Sequence, residues 1–378
     1  MTIKVLSVFG TRPEAIKMAP VVRELQRRRA QFESVVCVTG QHREMLDQIM
    51  KSFSLKADFD LNLMTHAQSP SEVAARVLAE LPGTLRTVRP DIMLVQGDTT
   101  TTCAAALAAF MERVPVGHVE AGLRTGDLQQ PFPEEMNRRV TTIVSSLHFP
   151  PTAAARDALL GEGVDACRIV MTGNTVIDAL LQSVRADYIF QEPRLAALPL
   201  KGKVVLVTTH RRESIGEPMR HVCEAILRLT RVHRDLTVVV PVHRNPAVRE
   251  IVNGLLGDQP GIVLIDPLPY LDFVHLMARS DIILTDSGGV QEEAPSLKRP
   301  VLVIREVTER PEGVSAGVAK LLGTDPEVIF QAVNLLLTDE VAYRKMIGTA
   351  NPYGDGHASR YIADAIEEWH GQRRAAAS

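Results

Sequence analysis

Short apolar runs alternate along this chain with polar breaks and with stretches of helical period. Ile3–Phe9, Val35–Thr39, Asp91–Gln96 and Val114–Val119 are runs of the kind shown by strands buried on both faces. Gly10-Thr11-Arg12-Pro13-Glu14 turns the first run into a helix with Met18, Val22 and Leu25 on one stripe. Thr11 suits the cap of that helix, and Pro13 suits its first turn. Gly40-Gln41-His42-Arg43 leads from the second run into another helix, and Gly97-Asp98-Thr99 leads from the third into one carrying Cys103, Leu107, Phe110 and Met111. Pro131-Phe132-Pro133-Glu134-Glu135 opens a helix whose Met136, Val140 and Ile143 are expected to face the core. Ser146–Pro150 and Arg168–Thr172 read as strands, and a helix follows from Gly173-Asn174-Thr175 to about Arg185.

Residues 186–203 carry charges and prolines and read as a linker, after which the alternation restarts. Val204–Thr208, Thr237–Val242, Val263–Ile265, Ile282–Leu284 and Val301–Ile304 are the second set of strands. From Asp325 the chain reads as helical, with Ile362, Ile366 and Trp369 on the last stripe and Gln372–Ser378 as a frayed tail. Strand and helix in regular alternation predict an α/β fold with parallel sheets. At 378 residues the chain exceeds one ordinary core, so two Rossmann-type domains are expected. Their predicted bounds are 1–185 and 186–355, with a final helix over 356–378 packing back on the first domain.

Composition narrows the class. The chain is 45% hydrophobic and 23% charged, which fits a globular protein, and its net charge of −3 argues against general nucleic-acid binding. No apolar run approaches the ~18 residues of a membrane span. The N-terminal run is too short for a signal peptide, so the cytoplasm is the expected compartment. Cys37, Cys103, Cys167 and Cys223 lie far apart without C-x-x-C spacing, and are expected to be buried thiols rather than metal ligands or disulfides.

The candidate chemistry gathers at strand ends. Ile282–Leu284 runs into Thr285-Asp286-Ser287-Gly288-Gly289 and then a helix, a turn that offers free N–H groups to a phosphate. Ser287 could add a hydroxyl there, Glu293 could accept ribose hydroxyls, and the alternative is an ordinary turn capped by Asp286 and Ser287. Arg305 and Arg310 follow the next strand, while His210 and His243 fall just past strand ends. In the first half Arg12, Asp98 and Glu120 end three successive strands, and such ends converge on one edge of a parallel sheet. Asp98 reads equally well as an N-cap. Glu134 and Arg138 stand four apart, as a surface ion pair would.

Eight segments in order carry a resemblance along nearly the whole chain. They are Phe9–Val22 (FGTRPEAIKMAPVV), Gly97–Thr102 (GDTTTT), His118–Asp127 (HVEAGLRTGD), Pro131–Arg139 (PFPEEMNRR), Thr172–Leu180 (TGNTVIDAL), His210–Ser214 (HRRES), Leu284–Val303 (LTDSGGVQEEAPSLKRPVLV) and Thr308–Gly313 (TERPEG). With them the chain resembles the non-hydrolysing UDP-N-acetylglucosamine 2-epimerases. The resemblance implies a GT-B-like pair of Rossmann-type domains with an interdomain active-site cleft, usually in a homodimer. It implies interconversion of UDP-GlcNAc and UDP-ManNAc without an added redox cofactor or metal, supplying ManNAc for surface polysaccharide. Arg12, Ser287, Gly288, Gly289, Glu293 and Arg310 are thereby expected to hold UDP, with His210 near the diphosphate and His243 among the substrate-binding residues. Asp98, Glu120 and Glu134 are expected as the catalytic carboxylates, supported by Lys17, Arg138 and His210.

An epimerase for a modified UDP-sugar, such as a 2,3-diacetamido uronic acid, and a GT-B glycosyltransferase remain alternatives. The sequence also departs from the family at its activator site. Gln41-His42-Arg43-Glu44 stands where Gln-His-Arg-Gln is usual, and Thr65-His66-Ala67-Gln68-Ser69 contains no Arg. The chain thus lacks two of the residues that would grip an activating second UDP-GlcNAc.

Overall fold

The computed structural model describes residues 2–40, 43–63, 68–198 and 202–377. Gln41, His42, Thr65, His66 and Ala67 of the activator segment lie outside them. The chain forms two compact units, one of residues 1–182 with 354–378 and one of residues 183–353.

In the first unit β1 (Ile3–Phe9), β2 (Phe32–Val38), β3 (Phe59–Asp60), β4 (Ile92–Gln96), β5 (Val116–Val119) and β6 (Leu147–Phe149) form one sheet in the order β3-β2-β1-β4-β5-β6. Every pairing is parallel, with Leu6 opposite Val35 on one side and Met93 on the other. Leu6, Val8, Met93, Val95 and Val116 meet Val77, Leu81 and Leu85 of the helix Pro70–Val88 in the core. The last helix, Ala358–Ala377, packs on the first, Arg12–Arg27, and the buried Asp178 carboxylate accepts the Ala358 and Ser359 amides at its start.

The second unit repeats the plan with β7 (Val204–Thr208), β8 (Thr237–Pro241), β9 (Ile262–Ile265), β10 (Ile282–Thr285), β11 (Val301–Val303) and β12 (Ala319–Leu321) in the order β12-β11-β10-β7-β8-β9. Val205, Val207, Val238, Val240, Ile282 and Leu284 supply its sheet core, against Met219, Val222, Ile226 and Leu229 of the helix Glu217–Val232. In each unit the order reverses at one point, between β1 and β4 and between β7 and β10. Ligands of open α/β sheets bind outside the carboxyl ends of the strands at that point. Among the described residues no helix is long and apolar enough to cross a membrane.

Several expectations are corrected. The edge strands β3 and β12 are only two and three residues long, too short for a periodic signal. Arg168–Thr172 is not a strand: Ala166–Arg168 is a 3-10 turn, and Ile169 makes an isolated bridge to His148. Residues 186–198 are no free linker, because buried Asp272 collects the Tyr188 hydroxyl and the amides of Gln191 and Glu192 at 2.6–3.0 Å. The tail is helical to Ala377, and Cys167 is exposed while the other three thiols are buried.

Parts of two apolar stripes face away from the core, although Cys103 at the start of the first is buried. Phe110 and Met111 are 59% and 71% exposed, and Ile143 is 80% exposed. The helix Thr100–Met111 is flanked by Pro70–Val88 and Glu134–Val144, so its alanines, which allow close approach, turn inward instead. The helix Glu134–Val144 buries Glu135, Asn137, Thr141 and Thr142. Its inner face is polar because it lies against the loops that carry the candidate chemistry.

Candidate functional site

In the first unit the loops after β1 and β4 are tied together by Glu14. Thr11 caps the helix Arg12–Arg27, and the Glu14 carboxylate returns to the Gly10 and Thr11 amides at 2.8 and 2.7 Å. Its other oxygen accepts the hydroxyls of Thr99 and Thr102 from the loop after β4. Thr99, not Asp98, caps the helix Thr100–Met111, which frees the Asp98 carboxylate for another task.

That carboxylate takes the Arg138 guanidinium through Nε at 2.9 Å and Nη2 at 2.8 Å. Arg138 also donates to Glu135 at 3.2 Å, so the expected Glu134–Arg138 pair is replaced by a Glu135–Arg138–Asp98 chain. Glu135 is fully buried. Burial would raise its carboxyl, but the Thr125 amide, Arg138 and the Gly126 amide outweigh that and hold it low. Glu134 is half-buried, and its Oε2 is buried without a hydrogen-bond partner.

Glu120 follows β5 with φ of 64°, a left-handed conformation unusual for a side chain of this size. It is buried, and Lys17 reaches both its oxygens at 2.6 and 2.7 Å. The Gln96 amide from the end of β4 and the Asn174 amide at 2.7 Å donate to it as well. Two residues earlier the His118 ring lies 2.7 Å from the Gly97 carbonyl through Nε2, which must therefore carry the proton. Burial pushes this imidazole down to about 4, so it is a neutral donor that pins the Gly97 turn. Arg12 sits half-buried in the first helical turn.

In the second unit Asp286 is the organising group. Fully buried, it accepts the Thr209 hydroxyl, the His210 and Arg211 amides and the Ser214 hydroxyl on Oδ2, all at 2.9–3.1 Å. His210 Nδ1 lies 3.3 Å from Oδ1. Burial would raise this carboxyl, yet the His210 ring and the two amides carry it down to about 2. Asp286 thus fastens the loop after β7 to the turn after β10, across the reversal of strand order. His210 is exposed and stacks on His243, with ring centres 5.9 Å apart.

Ser287 begins the short helix Gly288–Glu293 but makes no side-chain cap; its amide is held by the Thr285 hydroxyl at 2.9 Å. The position a Gly288 side chain would occupy is 3.7 Å from an Arg211 nitrogen and 3.8 Å from an Arg310 nitrogen. Two guanidinium groups therefore converge on this glycine turn. Glu292, buried, pairs with Arg310 and fixes its direction, while Thr308 accepts the Arg310 amide at 3.1 Å. Glu293 stands half-buried beside Gly289.

The structure thus joins Lys17 to Glu120, Arg138 to Asp98, His210 to His243 and Arg310 to Gly288. Glu134 makes no ion pair with Arg138. Gln96, Asn174, Glu135, Arg211 and Asp286 were not among the expected site residues. Gln96 had one signal, a polar residue closing an apolar strand. Asp286 had none beyond its suitability as a cap.

Two doubly wound units, one with cation-held carboxylates at its strand ends and one with guanidinium groups gathered on a glycine turn, define a two-domain α/β enzyme for an anionic ligand. The comparisons with known proteins are more specific. The chain belongs to the UDP-N-acetylglucosamine 2-epimerase family, whose model matches residues 23–367. It is 52% identical over 372 residues to the UDP-N-acetylglucosamine 2-epimerase of Bacillus subtilis (strain 168), covering 98% of this chain and 97% of that one. To the enzyme of that name from Escherichia coli (strain K12) it is 51% identical over 377 residues, 96% of this chain and 98% of that one. Its fold is similar to the crystal structure of UDP-GlcNAc 2-epimerase from Neisseria meningitidis bound to UDP-GlcNAc. There the TM-score is 0.86 and the identity 47%, over 97% of this chain and 100% of that one.

Proposed function

We propose that the protein interconverts UDP-GlcNAc and UDP-ManNAc by eliminating UDP to a 2-acetamidoglucal and adding it back. The family match over residues 23–367 carries this reading, and the chemistry of the residues agrees with it. The C2–H bond of an N-acetylhexosamine is not next to a carbonyl, so direct deprotonation is slow. Cleavage of the C1–O bond to UDP builds positive charge at C1 and makes C2–H acidic. A carboxylate takes that proton as the C1–C2 double bond forms. Protonation of C2 from the opposite face, with return of the UDP oxygen to C1, gives the epimer. The steps balance without an oxidant or reductant.

Asp98, Glu120 and Glu134 act as the carboxylate group of this scheme, with Lys17 paired to Glu120 and Arg138 to Asp98. Arg310, Arg211 and the Ser287–Gly289 turn neutralise the departing diphosphate, with His210 and His243 beside it and Arg12 as a further cation. Glu293 receives the ribose. The protein pairs with a second copy through the exposed face of Phe110, Met111 and Ile143, beside a depression of about 820 Å³ that Trp369 also lines. Its product supplies ManNAc for surface polysaccharide.

Incubation with UDP-GlcNAc alone in D₂O, followed by proton NMR, tests the reaction. The expected product is UDP-ManNAc with deuterium at C2. Free sugar would indicate a hydrolase, no change would indicate a transferase lacking its acceptor, and protium retained at C2 would overturn the elimination. Changing Asp98, Glu120 or Glu134 to its amide is expected to cut turnover by roughly 10²–10⁴ with UDP affinity nearly unchanged.

A further inference from the structure

Glu120 is gripped on both oxygens, and half of the grip is uncharged. Oε1 accepts from Lys17 at 2.6 Å and from Asn174 Nδ2 at 2.7 Å, while Oε2 accepts from Lys17 at 2.7 Å and from Gln96 Nε2. A carboxylate offers about four lone-pair sites, and all are met here; a proton on either oxygen would have to displace a donor. The amide of Asn174 is itself oriented, because its Oδ1 accepts the Val176 amide at 3.1 Å, which leaves Nδ2 for Glu120. Asn174 and Gln96 are both buried, so neither can satisfy its amide with water. The left-handed backbone of Glu120 is strained for a side chain of its size, and such a conformation persists only where its surroundings over-determine it.

We propose that Gln96 and Asn174 are positioning residues that hold the Glu120 carboxylate ionised and in one plane for the sugar chemistry. The proposal rests on the epimerase reading above. The Lys17 ammonium alone could swing on its flexible stem and leave the plane of the carboxylate undefined. Two amides, one at the end of β4 and one at the start of the helix Thr175–Ser183, fix that plane from two separate elements. Among the described residues, titratable groups near this cluster include His118 on β5, neutral by burial, and the Asp98–Arg138 pair beyond Gly97; Arg124 and Arg138 both act on His118.

The test compares wild type with Asn174→Ala, Gln96→Met and Asn174→Asp. Loss of one hydrogen bond to a charged group is expected to lower kcat by between about ten- and a hundredfold, with KM for UDP-GlcNAc unchanged. Asn174→Asp sets a second carboxylate 2.7 Å from Glu120, and two such groups beside one ammonium cannot both ionise freely. The acid limb of its kcat–pH profile is expected to move up by about one pH unit or more, a shift that a merely structural role would not produce. Calorimetry with UDP confirms that each variant is folded, and Gln96→Met serves if the Asn174 variants are not. Wild-type kcat and an unshifted profile, or a loss confined to KM, would overturn the proposal. A wild-type enzyme that leaves UDP-GlcNAc unchanged would instead overturn the epimerase reading on which it stands.

Discussion

Asp286→Asn isolates the charge that organises the second unit. The asparagine keeps the shape and one acceptor oxygen for the four donors now on Oδ2, but it loses the negative charge, and its NH₂ group takes the Oδ1 place beside His210. In the native protein the carboxyl lies near 2 against an ordinary 3.8. At about 1.4 kcal/mol per pH unit, that difference corresponds to about 2 kcal/mol of folding stability. Because the folded value is the depressed one, this contribution is fully present above about pH 4 and is lost as the pH falls towards 2. Replacement is therefore expected to cost about 2–4 kcal/mol at pH 7, where buried donors also lose a charged acceptor. Wild type and variant are expected to converge as the pH approaches 2. Hydrogen exchange at the His210 and Arg211 amides, which donate to Oδ2 at 2.9 and 3.0 Å, reads the local loss. Denaturation at pH 7 and pH 3 reads the global one. UDP affinity is expected to fall as well, since His210 loses its anchor. A variant within about 0.5 kcal/mol of wild type at pH 7, with unprotected amides in neither protein, would refute the account.

Three further outcomes are expected. Arg310→Ala weakens UDP binding by about 2–3 kcal/mol, the range for a charge-assisted contact, and wild-type affinity by calorimetry would remove Arg310 from the nucleotide site. Ile143→Lys places a charge in the exposed apolar face and converts a dimer to a monomer; light scattering that shows one mass for both proteins would count against that face as the interface. Because Glu44 and the Arg-free segment around Ala67 depart from the family's usual activator-site sequence, UDP-ManNAc is expected to be turned over without added UDP-GlcNAc, and a strict requirement for it would reverse that view.

The alternation of buried strands and amphipathic helices was legible in the sequence because burial on both faces of a parallel sheet writes continuous apolar runs. The residues at strand ends were legible for the same reason, since each run stops where its charged or glycine turn begins. The capping box of Thr11 and Glu14 is local in sequence, but the reach of Glu14 to Thr99 and Thr102 depends on β4 lying beside β1. Side-chain partners were likewise beyond local pattern. Arg138 stands four residues from Glu134, yet a separate loop delivers Asp98 to it and the helix delivers Glu135. The stripe of Met136, Val140 and Ile143 obeys the helical period for a core face, but that helix turns its polar side inward. Period fixes only which residues share a face of a helix. Which face is buried depends on what the rest of the chain brings against it, and here that is a set of polar loops whose hydrogen bonds need polar partners.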